Sequence, residues 1–344
     1  MDAARARGRP MGDDVTDRKL RLALNGFGRI GRSILRIWAQ GGYDDMELVL
    51  INDIEPLENC AYLFEYDSVF GPWRGTVEAR DGALVVDGRA IPFHSAPDLR
   101  QLDLSGVDIV LECTGMTGSR AVVERGLQAG AGRVLISGPS DEADVTVVIG
   151  ANDERLAGQS IVSNASCTTN ALAPLLRLLD QGFGVVSGQM TTVHCYTGSQ
   201  PTVDKPRGDA ARSRAAALSM VPTSTSAGRL IGTVLPHLAG RVAARAIRVP
   251  TASVSCIDLT FASEKPTDVA TVNALLREAA LTSPVFGWTE KPLVSCDLRA
   301  RPESIVLCGR ETSVAGGLTR VFGWYDNEWG FSSRMLDMAR LMGR

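Results

Sequence analysis

A chain of 344 residues is too long for one ordinary hydrophobic core and suits two domains. With 44% hydrophobic and 22% charged residues and no apolar run near the ~20 residues of a membrane span, it does not read as a membrane protein, and a net charge of −3 speaks against nucleic acid as a partner. The cysteines (Cys60, Cys113, Cys167, Cys195, Cys256, Cys296, Cys308) are odd in number and lack a CxxC pair, which argues against a zinc site or disulfide framework and for a reduced, cytoplasmic chain with no metal.

Residues 1–19 lack an apolar segment of the secretory kind. Asp13, Asp14 and Asp17 follow the arginines at once, so a disordered tail is expected rather than a transit peptide. The run LRLALNG (20–26) predicts a strand, and RIGRSILRIWAQ a helix with Ile30, Ile34 and Ile37 on one side, stopped by Gly41-Gly42. MELVLIND (46–53), VDIVLECTG (107–115), RVLISG (133–138) and TVVIGAN (146–152) are further strand-like runs, with AVVERGLQAG as a helix between them. Near-continuous apolar strands alternating with helices predict a parallel sheet covered on both faces.

The texture changes near residue 184. VVSGQMTTVHCYT, RAIRVPT and SVSCIDLTFAS are Thr- and Val-rich runs that predict a mostly antiparallel sheet. The irregular stretch 198–219 is long enough to be functional. The last residues form a helix with Met335, Leu336, Met338, Ala339 and Met342 on its apolar side. The expected fold is α/β: a Rossmann dinucleotide-binding domain over 20–166, completed by a C-terminal helix at 331–344, and an α+β catalytic domain over 167–330.

Gly26-Phe27-Gly28-Arg29-Ile30-Gly31 fits G-x-G-x-x-G between a strand and a helix, and Asp53 closes the next strand 22 residues after Gly31. Gly26 permits the turn, Gly28 lets a pyrophosphate approach the backbone, and Gly31 allows close helix–sheet packing. Asp53 suits the ribose hydroxyls, and with Glu55 it would repel a 2′-phosphate. NAD is therefore favoured, with NADP not excluded. Thr114, Gly115 and Ser137 are assigned to the cofactor as well.

In SNASCTTNALAPLLRLLDQG (163–182), Ala171, Leu172, Leu175, Leu176 and Leu179 mark an apolar helical face, so Cys167 sits at a helix N-terminus, where a thiolate is favoured. Polar neighbours from Asn164 to Asn170 argue against a core role. Of three histidines, His94 and His237 read as surface or packing residues, and His194, 27 residues past Cys167, is the candidate base. Strand alternation predicts that Cys195 points away from the site His194 lines. A cysteine, a histidine and a dinucleotide together predict attack on an aldehyde, a thiohemiacetal, loss of hydride, and a thioester released by water or phosphate.

NGFGRIGR (25–32), SNASCTTN (163–170), HCYT (194–197), RVPT (248–251) and WYDNEWG (324–330) together resemble the phosphorylating glyceraldehyde-3-phosphate dehydrogenase family, from about residue 20 to the end. The resemblance implies Cys167 as nucleophile and His194 as base. It implies Thr197 and Arg248 at the substrate's 3-phosphate, and Ser166, Thr168, Thr225 and Ser226 with Arg212 at an inorganic-phosphate site. It also implies Asn327 at the nicotinamide carboxamide, and a homotetramer in which the 198–219 loop reaches a neighbour's cofactor. Three departures stand out. Ser226 occupies a position commonly glycine, and Lys205 one often leucine in NAD-specific members. ECTGMTGSR and SGPSDEADVTVVIGAN lean toward the sister erythrose-4-phosphate dehydrogenases, which typically lack the threonine found here at 197.

Overall fold

The structure is a computed structural model that describes residues 18–344. The tail expected over 1–19 therefore falls, apart from Arg18 and Lys19, outside the described residues.

Two large sheets organise the described chain. The first has nine strands, in the spatial order 145–146, 161–163, 133–136, 109–112, 20–25, 46–52, 89–94, 83–86 and 77–80. Pairing is parallel from 145–146 to 89–94 and antiparallel at the far edge. Leu22, Ala23 and Leu24 are all buried, because both faces are covered and no solvent face imposes alternation. On one side Ile34 and Leu35 of the helix Arg29–Ala39 pack with Met335, Leu336 and Met338 of the C-terminal helix Trp329–Met342. The chain thus returns at its end to the sheet it began with. On the other side Leu99, Leu104 and Val123 cover Val110 and Val134.

The single helix expected in AVVERGLQAG is two short ones, Arg120–Val123 and Arg125–Gln128, joined through Glu124. Of TVVIGAN only Thr146 lies in a strand, the short Val145–Thr146.

The second sheet runs in the order 221–223, 242–249, 185–195, 255–263, 318–325, 305–308 and 286–289. It is mostly antiparallel, as the composition predicts. However, 185–195 pairs in parallel with 242–249, as does 286–289 with 305–308. Helices Cys167–Phe183, Ala227–Val234 and Val269–Thr282 bury Leu172, Leu175, Leu230 and Leu276 against Ile257, Leu259 and Val321. A Rossmann sheet followed by an α+β unit is the fold class expected. The central parallel pair matters most for chemistry, because its register sets His194 beside Arg248.

Candidate active site

The glycine-rich turn lies where the first sheet changes direction, with strand 20–25 flanked by 46–52 and 109–112, the usual place for a ligand in such sheets. Gly26 has φ +93°, and a Cβ there would lie 2.7 Å from the backbone of Cys113 and Thr114. A Cβ on Gly31 would lie 2.2 Å from Gly26 O, so helix and strand touch through this glycine. Gly28 differs: no described atom lies within 4 Å of a Cβ built there. It begins the helix Arg29–Ala39, which no described side chain caps. Open space against uncapped helix N–H groups suits a pyrophosphate.

Gly26, Gly28, Asp53 and Thr114 line one cavity of about 340 Å³. Asp53 is fixed by the N–H groups of Phe27 at 2.5 Å and Glu55 at 3.0 Å. Phe27 is buried, and Ile30 packs on the first core. Gly115 is an exposed turn residue with φ +75°, and Ser137 donates its N–H to Glu112 O at 2.9 Å. The guanidinium of Arg29 faces away from a ligand role: it bonds Glu328 at 2.9 and 2.5 Å and also Asp67. The cavity's buried end holds a network absent from the sequence reading. Asn52 donates to Asn25 at 2.8 Å, Asn25 donates to Glu112 at 2.6 Å, and burial pushes the Glu112 carboxyl above its ordinary range.

The strand Ile161–Ser163 turns into the helix Cys167–Phe183 through Ala165, which has φ +55° and is fully buried. Ser166 caps the helix, its Oγ accepting from Thr169 N at 3.1 Å, and Cys167 is the first helical residue. Cys167 Sγ lies 3.6 Å from His194 Nε2. Burial acts most strongly on this thiol and pushes it above its ordinary value, against the charge of Arg248 and the bonds to Thr168.

His194 is buried, and its ring meets that of Tyr325 edge-on at 6.0 Å. Its Nδ1 lies 2.7 Å from Cys195 O and 2.8 Å from Arg248 NH1. Burial first, and then the arginine, hold the imidazole pKa down to about 4 from 6.5. His237 is exposed and pairs with Asp180 at 3.2 Å, while His94 ends an edge-proximal strand.

The expectation that Cys195 points away from the site fails. The strand ends at Cys195, which frees its side chain from strict alternation. Its Sγ lies 3.9 Å from His194 Nδ1 and donates to Asn327 Oδ1 at 3.0 Å. Tyr325 was also unforeseen: its buried hydroxyl bonds Thr168 Oγ1 at 2.9 Å and Thr192 Oγ1 at 2.8 Å. Its place two residues before Asn327 in WYDNEWG was the available signal.

The candidate phosphate residues divide. Arg248 and His194 are close at adjacent strand ends, and Thr197 Oγ1 bonds Ser199 Oγ at 2.9 Å on the loop that follows. Thr168 is buried with its hydroxyl on Tyr325. Arg212 donates to Thr223 Oγ1 at 2.7 Å and to Ser224 O at 3.0 Å, beside Thr225, whose Oγ1 accepts from Ala227 N at 3.3 Å. Ser226 stands at the N-terminus of Ala227–Val234 without a side-chain cap bond. Lys205 is exposed in the long loop.

A dinucleotide-binding sheet coupled to a partly buried cysteine beside a buried histidine defines a nucleotide-dependent aldehyde dehydrogenase that works through a covalent thiol adduct. Residues 20–120 match the family model "Glyceraldehyde 3-phosphate dehydrogenase, NAD binding domain", and residues 166–327 match "Glyceraldehyde 3-phosphate dehydrogenase, C-terminal domain". A protein of Xanthobacter flavus named glyceraldehyde-3-phosphate dehydrogenase is 46% identical over 94% of this chain and 99% of its own length. Those so named from Pseudomonas aeruginosa and Cereibacter sphaeroides are 48% and 46% identical, covering 93% and 94% of this chain and 97% and 99% of their own lengths. The chain belongs to the glyceraldehyde-3-phosphate dehydrogenase family, and NAD is the cofactor its first domain is built to hold.

Proposed function

We propose that this chain oxidises D-glyceraldehyde 3-phosphate with NAD and passes the acyl group to inorganic phosphate, giving 1,3-bisphosphoglycerate. The observation that carries the reading is the Cys167–His194 pair with a guanidinium, Arg248, against the histidine's far nitrogen. In this reading the thiol of Cys167 gives its proton to His194 and adds to the aldehyde carbon. The alkoxide regains a proton as the thiohemiacetal forms. His194 then removes the hydroxyl proton as hydride leaves, and the thioester keeps the oxidation energy until phosphate attacks its carbonyl. NAD, when bound, supplies the hydride acceptor.

Roles are proposed accordingly. Residues 20–166 with the helix at 331–344 hold NAD, through Gly26, Phe27, Gly28, Arg29, Ile30, Gly31, Asp53, Thr114, Gly115 and Ser137. Residues 167–330 carry the chemistry and Asn327, which orients the nicotinamide. Arg29 contributes through its backbone, since its side chain is engaged elsewhere. Thr197 and Arg248 take the substrate's phosphate. Ser166, Thr168, Thr225, Ser226 and Arg212 line the attacking phosphate's site, for which Thr168 must exchange its bond to Tyr325. Charge-assisted donors and hydroxyls suit both anions.

The assembly proposed is a homotetramer, consistent with exposed Val203 and Leu218 on the long loop and Met220 just after it. No helix of the described residues is long and apolar enough to cross a membrane, and free cysteines suit a cytoplasmic setting. Light scattering tests the assembly: a monomeric mass contradicts it. Side-by-side kcat/KM values for glyceraldehyde 3-phosphate and erythrose 4-phosphate test the substrate, and faster turnover of the four-carbon aldehyde would displace this reading.

A further inference from the structure

The buried end of the cofactor cavity is built on a hydrogen-bond chain that has a direction. Asn52 Nδ2 donates to Asn25 Oδ1 at 2.8 Å, and Asn25 Nδ2 donates to Glu112 Oε2 at 2.6 Å. Glu112 Oε1 accepts from the N–H of Thr114 at 2.9 Å and meets its hydroxyl as well. At the other end Asn52 holds one backbone unit, donating to Ala96 O at 3.0 Å and accepting from Ala96 N at 2.9 Å. Asn25, Asn52 and Glu112 are all buried. An amide carries both donors and an acceptor, so two asparagines in series could point either way. Here the ends fix the sense: Ala96 holds Asn52 one way round, and a carboxyl accepts from Asn25 where an amide nitrogen would not. Burial pushes the Glu112 carboxyl up, but among its described partners only Thr114 Oγ1 can take a proton from it. Oε2 therefore accepts from Asn25 in either protonation state.

The chain joins two walls of the cavity. Asn52, Asn25 and Glu112 end the neighbouring strands 46–52, 20–25 and 109–112. Ala96 and Pro97 line the cavity on one side, and Cys113, Thr114 and Met116 line it on the other. Met116 N rests in turn on Thr114 Oγ1 at 3.1 Å, so this second wall hangs from Glu112 through one residue. We propose that Glu112 is a positioning residue for the cofactor. Through Asn25 and Asn52 on one side and Thr114 on the other, it sets the spacing of the two walls that take the adenosine half of NAD. This role rests on the proposed placement of NAD, with its pyrophosphate at the glycine turn and its ribose hydroxyls on Asp53.

Backbone pairing holds the first wall only weakly. Strand 89–94 meets strand 46–52 at two positions, Phe93 opposite Ile51 and His94 opposite Asn52. Beyond them the Asn52 side chain carries the connection to Ala96. Walls held in place before the cofactor arrives spare it the cost of ordering them. The chain can also be broken and remade without changing its shape, because glutamine is isosteric with glutamate and aspartate with asparagine. Glu112→Gln, with its oxygen kept toward Thr114 N, turns an NH2 group onto the NH2 of Asn25. Asn25→Asp sets a second carboxyl against Glu112. The two substitutions together restore each bond: Thr114 donates to the new amide oxygen, the new amide NH2 donates to the new carboxylate, and Asn52 donates to its other oxygen.

The experiment titrates the full-length wild type, Glu112→Gln, Asn25→Asp and the double variant with ADP-ribose by calorimetry, and records their melting temperatures. Each single variant is expected to bind ADP-ribose about tenfold more weakly, as for one buried polar group left without its partner. The double variant is expected within about threefold of the wild type, since contacting members of one network couple strongly. Lowered melting temperatures with unchanged ADP-ribose affinity in the single variants would leave Glu112 a structural role only and overturn the proposal. Two losses that simply add in the double variant would overturn it as well. Where a single variant fails to fold, the double variant decides: wild-type affinity upholds the chain, and weak binding or failure to fold contradicts it. In the variants that fold, KM for NAD should follow the ADP-ribose affinity while KM for inorganic phosphate stays at the wild-type value, and a rise in both counts against the proposal. Wild-type turnover of glyceraldehyde 3-phosphate is scored separately: its absence would sink the proposed function, whereas ADP-ribose binding reports on Glu112 alone.

Discussion

Burial pushes the Cys167 thiol up and the His194 imidazole down, while the charge of Arg248 favours the thiolate. Sequence pattern located both residues, since a cysteine in SNASCTTN and a histidine in HCYT can be read without coordinates. The helix N-terminus is visible in a sequence, whereas the burial that acts on both groups is not. A stability consequence follows. His194 binds its proton near pH 4 when folded and near 6.5 when unfolded. Between those values the unfolded chain takes up a proton that the folded site refuses, so stability falls as pH falls. The full effect is on the order of 3 kcal/mol. Denaturant melts of wild type and His194→Asn from pH 7 to 4 check this: the wild type should lose more stability on acidification, and parallel curves would contradict it.

Cys195 is a second residue-scale case. Its Sγ–H donates to Asn327 Oδ1, and in the role proposed for Asn327 this bond sets which end of the amide faces the nicotinamide. Cys195→Ala is expected to weaken NAD binding about tenfold, near the worth of one hydrogen bond, while leaving ADP-ribose, which lacks nicotinamide, unaffected. Cys195→Ser should restore binding. Equal weakening for both ligands would point to a general structural role instead.

At the scale of elements, the glycine-rich turn shows which positions a pattern distinguishes and which need coordinates. G-x-G-x-x-G marks all three glycines alike, yet their surroundings differ. A methyl on Gly31 meets Gly26 O, whereas a methyl on Gly28 meets open space. Gly31→Ala is therefore expected to lower unfolding free energy by about 1–3 kcal/mol through overpacking. Gly28→Ala should keep the wild-type melting temperature and lose NAD affinity. Thermal melts with a titration of NAD separate them, and a destabilised Gly28→Ala would show that the turn is read incorrectly. Strand pairing was the least legible element. Thr- and Val-rich runs predict strands and a mostly antiparallel sheet, but the direction of a single pair depends on long connections. The parallel pair that sets Arg248 beside His194 was for that reason beyond the sequence.

Over the whole molecule, one ion cluster joins the beginning of the chain to its end. Arg29, on the first helix, binds Glu328, just before the last one, and Asp67. Glu328 adjoins Asn327, so the clamp sets the proposed nicotinamide anchor relative to the glycine turn. Glu328→Gln is expected to cost about 1 kcal/mol of stability, since Arg29 is partly exposed and water screens the pair. It should also raise KM for NAD. A change in stability with no change in KM would limit the clamp to structure. The two sheets and the apolar side of the last helix were legible from the apolar pattern; the clamp was not, because Arg29 and Glu328 are 299 residues apart.

The central claim is that Cys167 carries an acyl group from glyceraldehyde 3-phosphate to inorganic phosphate. The most direct test follows NADH absorbance with this aldehyde and NAD, with and without phosphate. Sustained turnover that depends on phosphate and disappears in Cys167→Ser is the expected result. Equal steady rates with and without phosphate, or activity surviving in Cys167→Ser, would contradict the account.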